Sequence, residues 1–120
     1  MKSYTDLEQS RKLAEILPIE SADMFFSGCA YPKELHLPTF SKTSIKDNIP
    51  CWSLAALINI LPQFIEFKGD KYYLRFMKEY VEYANDEVSI TGRYLHTTGN
   101  DNLVDACYEM IIHLHELKML

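Results

Sequence analysis

From the N-terminus onward, the spacing of apolar positions changes character several times. Residues 6–17 place Leu7, Leu13, Ala14 and Leu17 on one narrow stripe, the pattern of a helix that packs a single face. Thr5 and Glu8 stand three apart and predict a capping box, in which each side chain takes one free amide. Pro18 ends the helix. Over 19–50 no period holds. Met24, Phe25 and Phe26 are apolar enough to be anchored. Pro32 and Pro38 bracket KELHL, which predicts a short edge strand near Glu34–Leu37, and 41–48 is polar and turn-like. The next run, CWSLAALINIL (51–61), is apolar at nearly every position. Pro50 stands where a first helical residue tolerates proline, and Pro62 closes the run. A helix that is hydrophobic all round is buried, so this one is predicted to be central, with Ala55, Ile58 and Leu61 inside.

After Pro62 the period shortens to two. QFIEF (63–67), KYYLRFM (71–77), EYVEYA (79–84) and VSITGRYLH (88–96) are rich in β-branched and aromatic residues and predict three or four antiparallel strands. Lys68–Gly69–Asp70 reads as a hairpin turn. A continuous helix over 71–84 is the competing reading. The last segment returns to helical spacing. Leu103, Cys107, Met110, Ile111, Leu114 and Leu117 form an apolar stripe, capped by Asn102, with Asp105 in the first turn and Lys118 at the end. The fold class is α+β: an antiparallel sheet of three or four strands packed against two or three helices. Residues 1–50 supply a helix and an irregular segment, and 51–120 the helix, strands and helix of one domain.

Composition supports this picture. The chain has 120 residues, 48% hydrophobic and 24% charged, in the range of a single globular domain. Net charge is −5, from 12 basic and 17 acidic residues. The first 50 residues carry −1 and the rest −4, so neither half offers a basic face to a phosphate backbone. Three cysteines, Cys29, Cys51 and Cys107, without C-x-x-C spacing argue against a disulfide framework or a structural zinc. No signal-peptide core and no run approaching about 18 apolar residues is present, which predicts a soluble cytoplasmic protein with no membrane association.

Three segments, LEQSRKLAEILPIESADM, IPCWSLAALINILP and DNLVDACYEMIIHLHELKML, resemble an uncharacterised family of short proteins from gut-bacterial genomes and their prophages. The resemblance implies a bacterial or phage intracellular setting. It implies no activity, cofactor or site residue. The order from Trp52 onward is also similar to the α-β-β-β-α of double-stranded-RNA-binding domains, but that class needs basic residues where this chain reads DNLVDAC.

The candidate chemistry is sparse. Cys51, at the head of the predicted second helix, would need a base such as His96, His113 or His115 to act as a nucleophile, and no nucleophile motif surrounds it. A small structural thiol is the favoured reading. Glu109, His113 and Glu116 fall within about 60° of one another on a helix, on the flank away from the apolar stripe; a solvated face is favoured over metal ligation. Thr98–Gly99–Asn100–Asp101 precedes a helix N-terminus, but Asp101 and Asp105 would repel an anion. No catalytic, cofactor or metal residue is therefore assigned. The aromatic strand region remains. Tyr72, Leu74 and Phe76 alternate with Tyr73, Arg75 and Met77. The first set is expected to face the helices. The second is expected to look outward as an interaction surface for a protein partner or a second copy. The functional expectation is a non-enzymatic binding or protein-interaction domain. A small enzyme using Cys51 and a histidine is the alternative, and a nucleic-acid-binding module is the reading that charge opposes.

Overall fold

The computed structural model describes residues 2–26, 49–77, 80–85, 93–97 and 100–120. The expected strand near Glu34–Leu37 lies outside them. The element order is α1 (Leu7–Ile16), a 3-10 turn (Ile19–Ser21), β1 (Met24–Phe26), β2 (Ile49–Cys51), α2 (Leu54–Ile60), β3 (Phe64–Phe67), β4 (Asp70–Phe76), β5 (Val81–Ala84), β6 (Arg93–His96) and α3 (Leu103–Glu116). The fold is α+β, with three helices, an antiparallel pair β1-β2 and a four-stranded antiparallel sheet in the order β3-β4-β5-β6. The two strands expected in 71–84 form, and the competing helix does not.

Helix α1 starts one residue later than expected, and its cap is a different one. Asp6, not Thr5, is the N-cap: its carboxylate accepts from the Gln9 backbone at 2.8 Å, and the Gln9 side chain returns the bond to the Asp6 amide at 3.1 Å. Asp6–Gln9 therefore replaces the predicted Thr5–Glu8 box, and Thr5 goes inward. Its hydroxyl shares a hydrogen bond with the Ser10 hydroxyl at 2.8 Å and accepts from the Trp52 amide at 3.1 Å. Its own amide donates to the Trp52 carbonyl. A buried hydroxyl needs such partners, and Thr5 finds them 47 residues away. Ala14, placed on the apolar stripe from sequence, is exposed, and Leu13 is the residue of α1 that enters the main core.

The second helix departs most from expectation. Pro50 and Cys51 belong to β2, paired with Phe25 and Met24, and the helix begins only after Ser53, whose hydroxyl caps the Ala56 amide. Ser53 is itself held by Asp23, which bonds both its amide and its hydroxyl. Ala55 and Ile58, expected inside, are exposed, whereas Ala56, Leu57 and Leu61 are buried. A seven-residue helix that rests against α3 on one side can cover only one face.

Helix α3 matches its pattern except at its end, where Leu117, placed on the apolar stripe from sequence, is the C-cap residue and is exposed. Asn102 caps the Asp105 amide, and Val104, Cys107, Met110, Ile111 and Leu114 are fully buried. They meet Trp52, Leu57, Ile65, Tyr72, Val81 and Tyr83 in one core between the helices and one face of the sheet. Tyr83 reconciles its burial with its hydroxyl by donating to the Pro62 carbonyl at 2.7 Å. Because β6 is a fourth strand, the stretch from α2 reads α-β-β-β-β-α, one strand more than the double-stranded-RNA-binding order. Residues 79 and 88–92, which opened the expected third and fourth strands, lie outside the described residues.

Candidate functional site

The β3–β4 hairpin is where the fold exposes what it would ordinarily hide. It closes on a two-residue turn, Lys68 with φ 52 and Gly69 with φ 85, the twist that matches antiparallel strands. The turn sets the register: Phe67 faces Asp70, Glu66 faces Lys71, Ile65 faces Tyr72 and Phe64 faces Tyr73. Ile65 and Tyr72 enter the core. Phe64 and Tyr73 stand on the opposite face, 42% and 51% exposed, with ring centroids 6.2 Å apart and planes tilted by 50°. The Lys71 ammonium lies 4.8 Å above the Phe64 ring, and that of Lys68 lies 5.3 Å from the Phe67 ring. A lysine over an aromatic face is held by the ring quadrupole.

Of the three residues expected on this face, Tyr73 and Met77 are exposed. Arg75 is half-buried, and its Nε lies 3.8 Å from a Glu82 carboxylate oxygen that is itself nearly inaccessible. Arg75 is therefore tied to β5 rather than presented as an open contact. Phe76, expected against the helices, is 39% exposed at the end of β4. Of nine large apolar side chains exposed among the described residues, five lie in this hairpin: Phe64, Phe67, Tyr73, Phe76 and Met77. From sequence, Phe64 and Phe67 belong only to the aromatic strand region at large, and neither they nor Lys68 and Lys71 are assigned to this face. The two-residue turn was the available signal, because it places Phe64 opposite Tyr73.

The other candidates resolve differently. Cys51 is not at a helix N-terminus. Its thiol is buried and bonded to the Thr5 carbonyl at 3.4 Å and the Thr5 hydroxyl at 3.6 Å, and no histidine is among these partners. Burial pushes the thiol up, against the pull of the Thr5 and Ser10 hydroxyls. Cys107, surrounded by core side chains, is pushed up by burial to about 12. Neither is a thiolate near neutral pH.

Glu109, His113 and Glu116 do share a face of α3. With Gln9, Asn100, Asp105, Tyr108 and Ile112 they line a cleft of about 390 Å³ beside α1. Among the described residues no group of three or more His, Cys, Asp and Glu side chains is placed to hold a metal. The Asp105 carboxylate at the head of the cleft is already engaged. One oxygen accepts from Lys2 at 2.7 Å and Gln9 at 2.9 Å, and the other from Asn102 at 2.9 Å. Burial alone would raise its pKa, but these bonds outweigh burial and hold it below the usual carboxylate value. Of the turn 98–101, Thr98 and Gly99 lie outside the described residues.

Among the described residues no helix is long and apolar enough to cross a membrane. No family model matches the chain, and no curated protein or solved structure matches it significantly.

Proposed function

We propose that this chain is a non-enzymatic protein-interaction domain that meets its partner through the β3–β4 hairpin, with Tyr73 and Phe64 at the centre of the contact. The observation that carries the reading is the clustering of exposed rings. Scattered apolar residues on a surface are ordinary, whereas a contiguous group ringed by charge is the usual mark of a contact surface. Tyr73 and Phe64 are rigid, large and flanked by Lys71, the combination that supplies area at low entropic loss. Met77 extends the patch, and Arg75 ties it to Glu82 of β5. An accessory role in a bacterial or prophage setting, resting on the likeness of the three segments, is part of the same proposal.

The test is site-specific photocrosslinking in expressing cells. A benzoylphenylalanine at position 73 should give a discrete protein adduct, while the same probe at Ile19, an exposed apolar position away from the hairpin, should give none. Once the adduct is identified by mass spectrometry, sedimentation velocity with the purified partner should show association weakened at least tenfold by a folded Tyr73→Ser/Arg75→Glu double variant. Equal adducts at both positions, or unchanged association in that variant, would remove the hairpin from consideration.

A further inference from the structure

In a hairpin closed by a two-residue loop, the residues flanking the loop form a hydrogen-bonded pair, and bonded and non-bonded pairs alternate from there. Phe67 and Asp70 flank the loop. Ile65–Tyr72 is then the next bonded pair and Gln63–Leu74 the one after, in agreement with the 2.9 Å bond from the Leu74 amide to the Gln63 carbonyl. Gln63, Ile65 and Phe67 therefore spend their main-chain groups on β4. Phe64 and Glu66 direct theirs away from it, and among the described residues β3 is the end strand of its sheet. The open row stops there in both directions. Pro62 has no amide, and its carbonyl accepts from the Tyr83 hydroxyl. Lys68, with φ 52, has left the extended backbone.

The side chains beside these groups carry both signs of charge. Lys71 faces Glu66 across the hairpin, yet its ammonium lies 4.8 Å from the centre of the Phe64 ring. Glu66 is exposed, and among the described residues it is in no ion pair. Two copies of a chain that carries −5 repel each other through their net charge. Residues 63–71 set Lys68 and Lys71 against Glu66 and Asp70 and are neutral, so this edge adds nothing to that repulsion.

We infer that the β3 edge is the contact between two copies of this chain, paired antiparallel about a two-fold axis so that their sheets run on into one another. This inference rests on the hairpin being the interaction surface and names the partner as a second copy. An antiparallel ladder joins residues whose main-chain groups both point outward, so Phe64 and Glu66 of one copy meet those of the other. The chemistry selects one register. Glu66 opposite Glu66 sets like charges together and leaves Phe64 against the left-handed Lys68. Phe64 opposite Phe64 leaves Glu66 against Pro62, whose amide is missing and whose carbonyl is engaged. Phe64 opposite Glu66 uses every open amide and carbonyl of both copies. It also sets the Glu66 carboxylate of each copy beside the Phe64 ring of the other, where the Lys71 ammonium lies. Two reciprocal Lys71–Glu66 ion pairs follow, one on either side of the axis. The hairpin tips point in opposite directions, which keeps Lys68 of one copy away from Lys68 of the other.

The test is sedimentation velocity of the whole chain over a roughly hundredfold range of concentration, where a reversible monomer–dimer equilibrium is expected. Glu66→Lys and Lys71→Glu each set like charges across the axis, and each alone should weaken association by about tenfold or more. Mixed in equal amounts, the two variants restore both ion pairs, and the mixture should associate about as tightly as the parent chain. Glu66→Pro removes an amide that points outward, a change edge strands tolerate, and should weaken association by about tenfold or more with an unchanged circular dichroism spectrum. It keeps the test decisive if a charge variant does not fold, and the mixture does so if Glu66→Pro does not. A chain that stays monomeric throughout would overturn the inference. So would a mixture no tighter than its components, or full association in folded Glu66→Pro. If the chain is monomeric while the probe at position 73 still captures a different protein, the hairpin surface stands and self-pairing falls. An adduct of twice the chain's mass at position 73, together with rescue in the mixture, supports both.

Discussion

At the scale of single residues, the chain uses burial to silence groups that could react. Cys107 is enclosed by the core, and its pKa rises from the ordinary 9.0 to about 12. Cys51 and Tyr83 are shifted in the same direction by burial. The consequence for stability has a definite sign. The folded state keeps the Cys107 proton until about 12, whereas the unfolded chain loses it near 9.0. Stability from this group is complete below the unfolded value and is lost as pH rises toward the folded one. Urea midpoints should accordingly hold between neutral pH and about pH 9 and fall above it, and the fall should be shallower in Cys107→Ala. In the native protein, peptide mapping after iodoacetamide treatment near neutral pH should find Cys107 and Cys51 unmodified, and urea should make both reactive. Fast native labelling at Cys51 would restore the enzymatic reading that its Thr5 contacts argue against.

At the scale of elements, legibility followed how local the determining contacts are. Helix α3 was readable because its stripe, its Asn102 cap and its first-turn Asp105 all lie within sixteen residues and agree. The β3–β4 hairpin was readable because its turn residues and alternation are adjacent. Strands β1 and β2 were not. Each is three residues long, and Met24 becomes a strand residue only by meeting Cys51. Helix α2 was misjudged for a related reason. Composition alone cannot show that Ser53 is held by Asp23, or that Pro50 and Cys51 are claimed by β1. The exposed face of the hairpin was half visible: alternation separates Tyr73 from Tyr72, but the Arg75–Glu82 contact is a cross-strand fact.

Two substitutions probe these elements. Leu114→Ala truncates a fully buried side chain of α3 and should cost about 2–5 kcal/mol in chemical denaturation, the range of comparable core truncations. A loss below about 1 kcal/mol would mean the site closes around the cavity. In the hairpin, Lys68 holds a left-handed backbone that costs a non-glycine residue about 1–2 kcal/mol, least for asparagine. Its contact with Phe67 recovers about 0.5–1 kcal/mol at an exposed site. The backbone term is the larger, so Lys68→Asn should raise the urea midpoint, equivalent to a few tenths of a kcal/mol up to about 1. A lowered midpoint would show that the lysine–ring contact dominates the turn.

At the scale of the whole molecule, the N-terminal residues act as a strap across three elements. The Ser3 carbonyl accepts from Leu54 at the head of α2, the Thr5 amide donates to Trp52, and Lys2 reaches Asp105 at the head of α3. The Lys2–Asp105 pair is only part-buried, with about a quarter to a third of each side chain exposed. Its contribution is accordingly about 0.5–1 kcal/mol rather than that of an enclosed pair. The Asp105 pKa is lowered in the fold, so this stability is present above the unfolded value and lost as pH falls through the folded one. Asp105→Asn should be the less stable by about 1 kcal/mol near neutral pH, and the two proteins should converge in acid, once the pH has fallen below the ordinary carboxylate range. A gap that persists in acid would assign the loss to the Asn102 cap rather than to charge.

The strap also sets an order of events during synthesis. Helix α1 leaves a ribosome before the other elements described, yet the groups that enclose Thr5 and Ser10 sit at Cys51 and Trp52, and the carboxylate that anchors Lys2 comes 103 residues after it. Closing so long a loop yields nothing until its far end exists. Helix α1 should thus stay open to proteases until α3 has emerged to receive Lys2. Nascent chains stalled with residues 1–101 exposed should be cleaved near α1 by a dilute protease, and chains stalled with α3 fully exposed should resist. Equal resistance in both would mean that the N-terminal segment folds on contacts of its own.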